Sequence, residues 1–185
     1  MSLFWNILLL GLLVIIVVYI VKTYNNLVML SNNLKKAWAN IDVLLKQRYD
    51  EIPKLVKTVK GYVKHERETI INVIKARGQC IRASGVGNQA QAENMLTEAL
   101  GRLFALAERY PELKANQNFM YLQNRISDIE NQIADRREFY NDSVNTYNIK
   151  IHQLPDALIA SFAGFKDAEL FKISPRERRD VAIDF

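Results

Sequence analysis

Residues 3–21 read LFWNILLLGLLVIIVVYIV, nineteen positions broken only by Asn6, Gly11 and Tyr19. As a helix rising about 1.5 Å per residue, the run reaches roughly 28 Å, close to the hydrocarbon thickness of a bilayer. It reads as a single transmembrane helix. A cleavable leader would carry basic residues before the run and a small-residue cleavage site after it. Met1 and Ser2 carry no side-chain charge, and the exit Tyr19-Ile20-Val21-Lys22-Thr23-Tyr24 shows no Ala-x-Ala pattern. Trp5 and Tyr19 fall near the two interfaces, where aromatic belts lie.

Lys and Arg bias sets the expected orientation. The N-terminal flank has none, whereas Lys22, Lys35 and Lys36 all precede the first acid, Asp42. The N-terminus is therefore expected outside and the body in the cytoplasm, with a periplasmic or extracellular body as the alternative. Beyond an anchor over residues 1–22, about 163 residues remain, enough for one domain with a core of its own. Cys80 is the one cysteine, so no internal disulfide forms, and it reads as a small buried apolar residue.

The body reads as helix throughout. Leu27, Leu30, Leu34, Trp38, Ile41 and Leu45 recur in steps of three and four, which predicts a helix over 23–50. Asp50-Glu51-Ile52-Pro53 follows, and proline fits the first turn of a new helix better than a helix interior. A turn is therefore expected at 50–53, with a kink in one continuous helix as the alternative. Leu55, Val56, Val59, Val63, Ile70, Val73 and Ile74 predict a second helix from 54 to the loop Ser84-Gly85-Val86-Gly87-Asn88. A third fits 89–109 through Ala92, Leu96, Leu100, Leu103 and Leu106, and Tyr110-Pro111 ends it. The fourth, 112–152, carries Leu113, Phe119, Leu122, Ile126, Ile129, Ile133, Phe139, Val144 and Tyr147.

Four long helices with short connections and no strand signal predict an all-α chain: an antiparallel up-and-down four-helix bundle over 23–153 behind its anchor. Counting out from the membrane, the loop at 84–88 and the end of the fourth helix should face the bilayer. Lys75, Arg77 and Arg82 then become candidate contacts to anionic head groups, each attracted by about 1 kcal/mol; a solvated helix end is the plainer alternative. Residues 154–165, Leu-Pro-Asp-Ala-Leu-Ile-Ala-Ser-Phe-Ala-Gly-Phe, are too few to span but apolar enough to lie on the interface, or else cap the bundle. Phe162, Phe165 and Lys166 are the residues expected to touch lipid or bundle, and a charged tail completes 154–185.

Net charge is +5, divided as +8 over residues 22–82 and −3 over 93–185. The basic residues are spaced at helical intervals and the aromatics fall mostly on apolar stripes, so nucleic acid is not the expected partner. His65-Glu66-Arg67-Glu68 begins like a zinc-protease helix, but Thr69 stands where the second histidine belongs. The acid pairs Asp128 with Glu130 and Asp135 with Glu138 lie among Arg125, Arg136 and Arg137 and read as surface ion pairs. Gly85 and Gly87 lack the Lys-Ser or Lys-Thr of a phosphate loop. No catalytic residue, metal site or cofactor site is expected.

Trp38, Ile41, Phe139, Tyr140 and Tyr147 are large enough to dominate packing where the first and last helices meet, with Asn148 placed to satisfy buried backbone or hydroxyl groups. Several of these residues sit in longer motifs. Tyr24-Asn25, the stretch from Ala37-Trp38-Ala39-Asn40-Ile41-Asp42-Val43 through Lys46-Gln47-Arg48-Tyr49-Asp50-Glu51-Ile52-Pro53 to Gly61-Tyr62, Leu113-Lys114-Ala115-Asn116, residues 131–148, Gly164-Phe165-Lys166 and Asp184-Phe185 together resemble the LemA family. The tail Pro175-Arg176-Glu177-Arg178-Arg179 is more basic than the family pattern.

The resemblance implies a bacterial protein with one N-terminal membrane helix, an antiparallel helical bundle and no established enzymatic activity; some relatives act in magnetosome membrane formation. It assigns no catalytic residues. Genes of such proteins often neighbour membrane metallopeptidases, which suggests a peptidase partner by association only. The expected role is a non-enzymatic scaffold or adaptor at the bacterial inner membrane. It would hold the bilayer through residues 3–21 and bind itself or another membrane protein. Lipid binding or membrane remodelling is the alternative, with an accessory role to a peptidase behind it.

Overall fold

The computed structural model describes residues 2–63 and 66–172; His65 and the basic tail over 175–179, with Asp184-Phe185, lie outside them. The described residues are helical, without strands, in the order α1 Ser2–Lys60, α2 Arg67–Arg82, α3 Val86–Ala107, α4 Pro111–Lys114, α5 Gln117–His152 and α6 Asp156–Phe162.

The expected turn at 50–53 is absent. Helix α1 runs unbroken for 59 residues with Pro53 inside it. Proline lacks the N–H that would bond the carbonyl four residues back, which here belongs to Tyr49. That oxygen instead accepts a hydrogen bond from Nε of Arg77 at 2.8 Å. The helix stops about two turns later at Gly61, where the amides of Gly61 and Tyr62 bond the carbonyls of Thr58 and Val59 at 3.2 and 3.0 Å. Lys57 and Lys60 sit in its last turn, where cations suit the negative helix end.

The second predicted helix is accordingly split, its first part belonging to α1 and only 16 residues remaining as α2. At 1.5 Å per residue α2 is about 24 Å long, against roughly 58 Å for residues 22–60 of α1, so it has less than half of that length. The predicted 84–88 loop narrows to Ala83, Ser84 and Gly85. Gly85 holds φ +83°, a left-handed geometry that side chains disfavour, directly before α3. The predicted fourth helix also divides: Pro111 opens the short α4, and Asn116 starts α5 by accepting the Phe119 amide on Oδ1 at 3.0 Å.

The chain forms two compact units, Met1–Trp38 with Phe139–Ala168, and Ala39–Glu138 with the chain from Glu169. In the first, the buried residues include Leu27, Leu34, Ala37, Tyr140, Val144 and Tyr147. Phe139, expected in that core, is 61% exposed. Seven residues on from Ile133 is Tyr140, which continues the stripe to Val144 and Tyr147, and its ring meets Trp38 at 5.5 Å between centroids. In the second unit, Ile41, Leu45, Ile52, Leu96, Leu103 and Ile126 are fully buried or nearly so. Ile74, placed on the buried stripe from sequence, is instead 47% exposed.

Candidate functional site

The apolar run at the start of α1 remains uncovered: Leu3 through Val21 contribute no buried residue, and Leu3 is 73% exposed. It belongs to the one helix among the described residues that is long and apolar enough to cross a membrane. Its exit is built. The Tyr19 hydroxyl donates to Oδ1 of Asp156 at 2.6 Å, and the Thr23 hydroxyl, one turn on, donates to the same oxygen at 3.1 Å. Lys150, from the last turns of α5, pairs with Oδ2. A carboxylate with only 3% of its surface exposed is thus saturated by a cation and two hydroxyls. The Lys150 bond, then the Tyr19 bond, hold the Asp156 carboxyl below the usual carboxylate range. The same bond pushes the Lys150 ammonium up.

Asp156 is the first residue of α6, so this knot fixes that helix beside the exit of the apolar run. The seven residues of α6 bury Asp156 and Ala160. Leu158 and Phe162, four residues apart and therefore on one face of α6, are 59% and 94% exposed, and Leu154, in the turn before the helix, is 73% exposed. The helix ends in a left-handed Gly164, φ +76°, with the Phe165 amide bonding the Ala160 carbonyl at 3.0 Å and the Gly164 amide bonding that of Ser161 at 3.2 Å. This is a Schellman stop, and it explains Gly164-Phe165. It turns Phe165 inward onto Tyr24, with ring centroids 6.1 Å apart.

The following strap is tied to α5. Tyr147 donates its hydroxyl to the Lys166 carbonyl at 3.0 Å, and Asn148 clasps Ala168 by donating to its carbonyl at 3.0 Å and accepting its amide at 2.9 Å. Asn148 thus meets the sequence expectation that it satisfies backbone groups. Nε2 of His152 lies 2.7 Å from Oδ1 of Asp167. Burial, foremost, pushes the Tyr147 hydroxyl up.

The second unit holds a different polar cluster. Arg48, 3% exposed, donates to Glu93, to Glu130 at 3.0 Å and to Thr97 at 3.2 Å. The Tyr49 hydroxyl donates to Glu93 and accepts from Nε2 of Gln89 at 2.7 Å. Glu130, read from sequence as part of a surface ion-pair network, instead answers a buried arginine of α1. Burial, foremost, pushes both the Tyr49 hydroxyl and the Cys80 thiol up, so Cys80 is a buried neutral thiol. The Arg48-Tyr49 motif and Tyr62-Asn116, joined by a 2.8 Å hydrogen bond, therefore build the second unit.

The six residues singled out from sequence divide between the units. Phe162, Phe165 and Lys166 belong to the first, where Phe162 and Lys166 are exposed and Phe165 is half-buried. Lys75, Arg77 and Arg82 belong to the second; Lys75 and Arg82 are exposed, whereas Arg77 is engaged with the Tyr49 carbonyl. Sequence reading missed Asp156, whose hydroxyl partners, Tyr19 and Thr23, lie more than 130 positions away. Its only local signal was an acid in an apolar segment after proline. Among the described residues no three His, Cys, Asp or Glu side chains gather in a way that holds a metal.

The chain matches the family model described as the LemA family over residues 37–185. It is 26% identical to Magnetosome protein MamQ 2 of Paramagnetospirillum magneticum, in an alignment covering 82% of this chain and 65% of that protein. It is 24% identical to Magnetosome protein MamQ of Magnetospirillum gryphiswaldense, covering 88% and 70%, and 24% identical to Protein LemA of Metamycoplasma hominis, covering 85% and 72%. It thus spans about two thirds of the length of the magnetosome proteins that it matches. With a family match that takes in α5, the strap tied to Asn148 and the whole polar cluster at Arg48, the chain belongs to the LemA family.

Proposed function

We propose that this chain is a single-pass, membrane-tethered helical scaffold without enzymatic activity, acting by protein–protein interaction at the bacterial inner membrane. Its helices form an antiparallel bundle on the cytoplasmic side, and its N-terminus lies outside. The carrying observation is the knot of Tyr19 and Thr23 with Asp156: an exposed apolar helix continues without a joint into the body, and its exit is locked to the carrier of an apolar face. A continuous helix locked at its exit suits transmission of position. Contacts between early and late residues, Trp38 with Tyr140 and Thr23 with Asp156, support the antiparallel arrangement.

A lipid-binding role is the second reading, supported by the exposed Leu158 and Phe162 face of α6, by exposed Leu154 before it and by relatives named as magnetosome proteins. Detergent extraction after chemical cross-linking of native membranes separates the two. A second protein at fixed stoichiometry supports the scaffold; an uncomplexed chain that deforms pure vesicles supports the lipid role instead. Orientation is read with Lys36→Cys in a Cys80→Ser background and an impermeant maleimide. Labelling only after permeabilisation is expected, and labelling of intact cells overturns the cytoplasmic assignment.

A further inference from the structure

We propose that the outward face of α2 is a docking seam for an acidic amphipathic helix of a partner protein. This rests on the scaffold reading and names the chemistry of the partner. Ile71, Ile74 and Ile81 are 45%, 47% and 54% exposed, and with Gly78 they follow one another in steps of three, four and three. That is the a and d spacing of a heptad seam, and branched isoleucines suit such packing. A Cβ placed on Gly78 would touch the guanidinium of Arg82, at 3.7 Å, so the seam dips at its centre beside that side chain. The opposite face of α2 is fully used by the core through Ile70, Val73, Ala76 and Cys80. The isoleucines are therefore surplus to folding.

Charge selects the occupant. Lys75 and Arg82 are both exposed, lie one heptad apart and follow the d positions Ile74 and Ile81, which makes them the e positions that decide pairing partners, while the acidic e position before them, Glu68, precedes the first isoleucine of the seam. Among the described residues neither has an acidic partner across the helix face. The remaining flank is also basic, through Arg77. A second copy would set Lys75 against Lys75 in an antiparallel pairing and Arg77 against Arg82 in a parallel one, and a helix carrying Glu or Asp at the facing positions would neutralise them. A bilayer surface fits less well, because the stripe is only about 80° wide at 100° per residue, has no aromatic residue and is notched at its centre.

The test places p-benzoylphenylalanine at Ile74 of the full-length chain in native membranes, with a second position, exposed Lys57, as comparison. Photo-adducts are digested and sequenced. The expected adduct lies within an acid-bearing amphipathic helix of another polypeptide, and Lys75→Glu with Arg82→Glu lowers its yield at least tenfold. An adduct to a second copy, an adduct to lipid, no adduct from position 74, or a yield indifferent to charge reversal overturns the proposal. Protein adducts from position 57 with none from 74 would leave the scaffold reading standing while removing this seam; silence at both positions, with no cross-linked complex, counts against both.

Discussion

Nε of Arg77 sits 2.8 Å from the carbonyl oxygen of Tyr49, the one oxygen in that turn of α1 that Pro53 leaves without its helical donor. A side chain from α2 thus supplies the bond that proline removes and keeps α1 continuous through its last turns. Removing the guanidinium leaves a mostly buried carbonyl unsatisfied, which costs about 1–3 kcal/mol. Arg77→Ala should therefore lower the denaturation midpoint, and less so in a Pro53→Ala background, where the restored N–H bonds Tyr49. A double-mutant cycle should show coupling of about 1 kcal/mol; equal losses in both backgrounds would exclude this role for Arg77.

Arg48 is held by Glu93, Glu130 and Thr97 with almost no exposure. Breaking a buried ion pair by deleting one partner typically costs about 3–5 kcal/mol, because the other charge stays buried. Arg48→Met should lose that much in chemical denaturation, and Arg48→Met with Glu93→Met markedly less. A single variant as stable as the parent would show that the cluster is not a buried charge pair in solution.

Asp156 has a depressed carboxyl pKa, set first by its bond to Lys150. For an acid whose folded value lies below its unfolded value, the stabilisation is full above the unfolded pKa, about 4, and disappears as pH falls through the folded value. Hydrogen exchange at the amides of residues 160–163 should therefore be slow and steady from pH 7 down to about 5 after correction for intrinsic rates, and protection should fall below about 4. Asp156→Asn should exchange faster at pH 7 and lose that acid transition. Retention of the transition in the variant would assign it to another group.

Phe162 is 94% exposed and stands on the same face of α6 as Leu158. In the full chain reconstituted in vesicles, Phe162→Cys in a Cys80→Ser background, labelled with a nitrobenzoxadiazole dye, should emit as in an interface and be quenched by shallow brominated lipids. Water-like, unquenched emission would remove α6 from the bilayer. Phe162→Ser should leave the melting temperature unchanged, because the ring packs on nothing. Phe165→Ser should lower it, because Phe165 packs on Tyr24.

Much of this was legible in the residues alone, because helix and bilayer both impose a local rule. The nineteen-residue apolar run, the three-and-four spacing of Ile41 and Leu45 or of Leu96, Leu100 and Leu103, and the glycine before α3 each follow from chain-neighbour geometry. The errors fall where a distant partner outweighs a neighbour. Pro53 signals a stop until Arg77 arrives from α2; Phe139 outranks Tyr140 in apolarity but loses the core position, since the residue in register with Trp38 is Tyr140.

By itself, then, the sequence determined an apolar N-terminal helix, an all-helical body and membership of its family, all properties carried by periodicity and local motifs. Only the tertiary structure decided that α1 passes through Pro53, that Asp156 locks α6 to Tyr19 and Thr23, that Glu130 answers Arg48, and that Ile71, Ile74 and Ile81 remain outside the core. Hydrogen bonds and burial between residues scores of positions apart leave no periodic trace in a single chain, so they become visible only when folding brings both partners together.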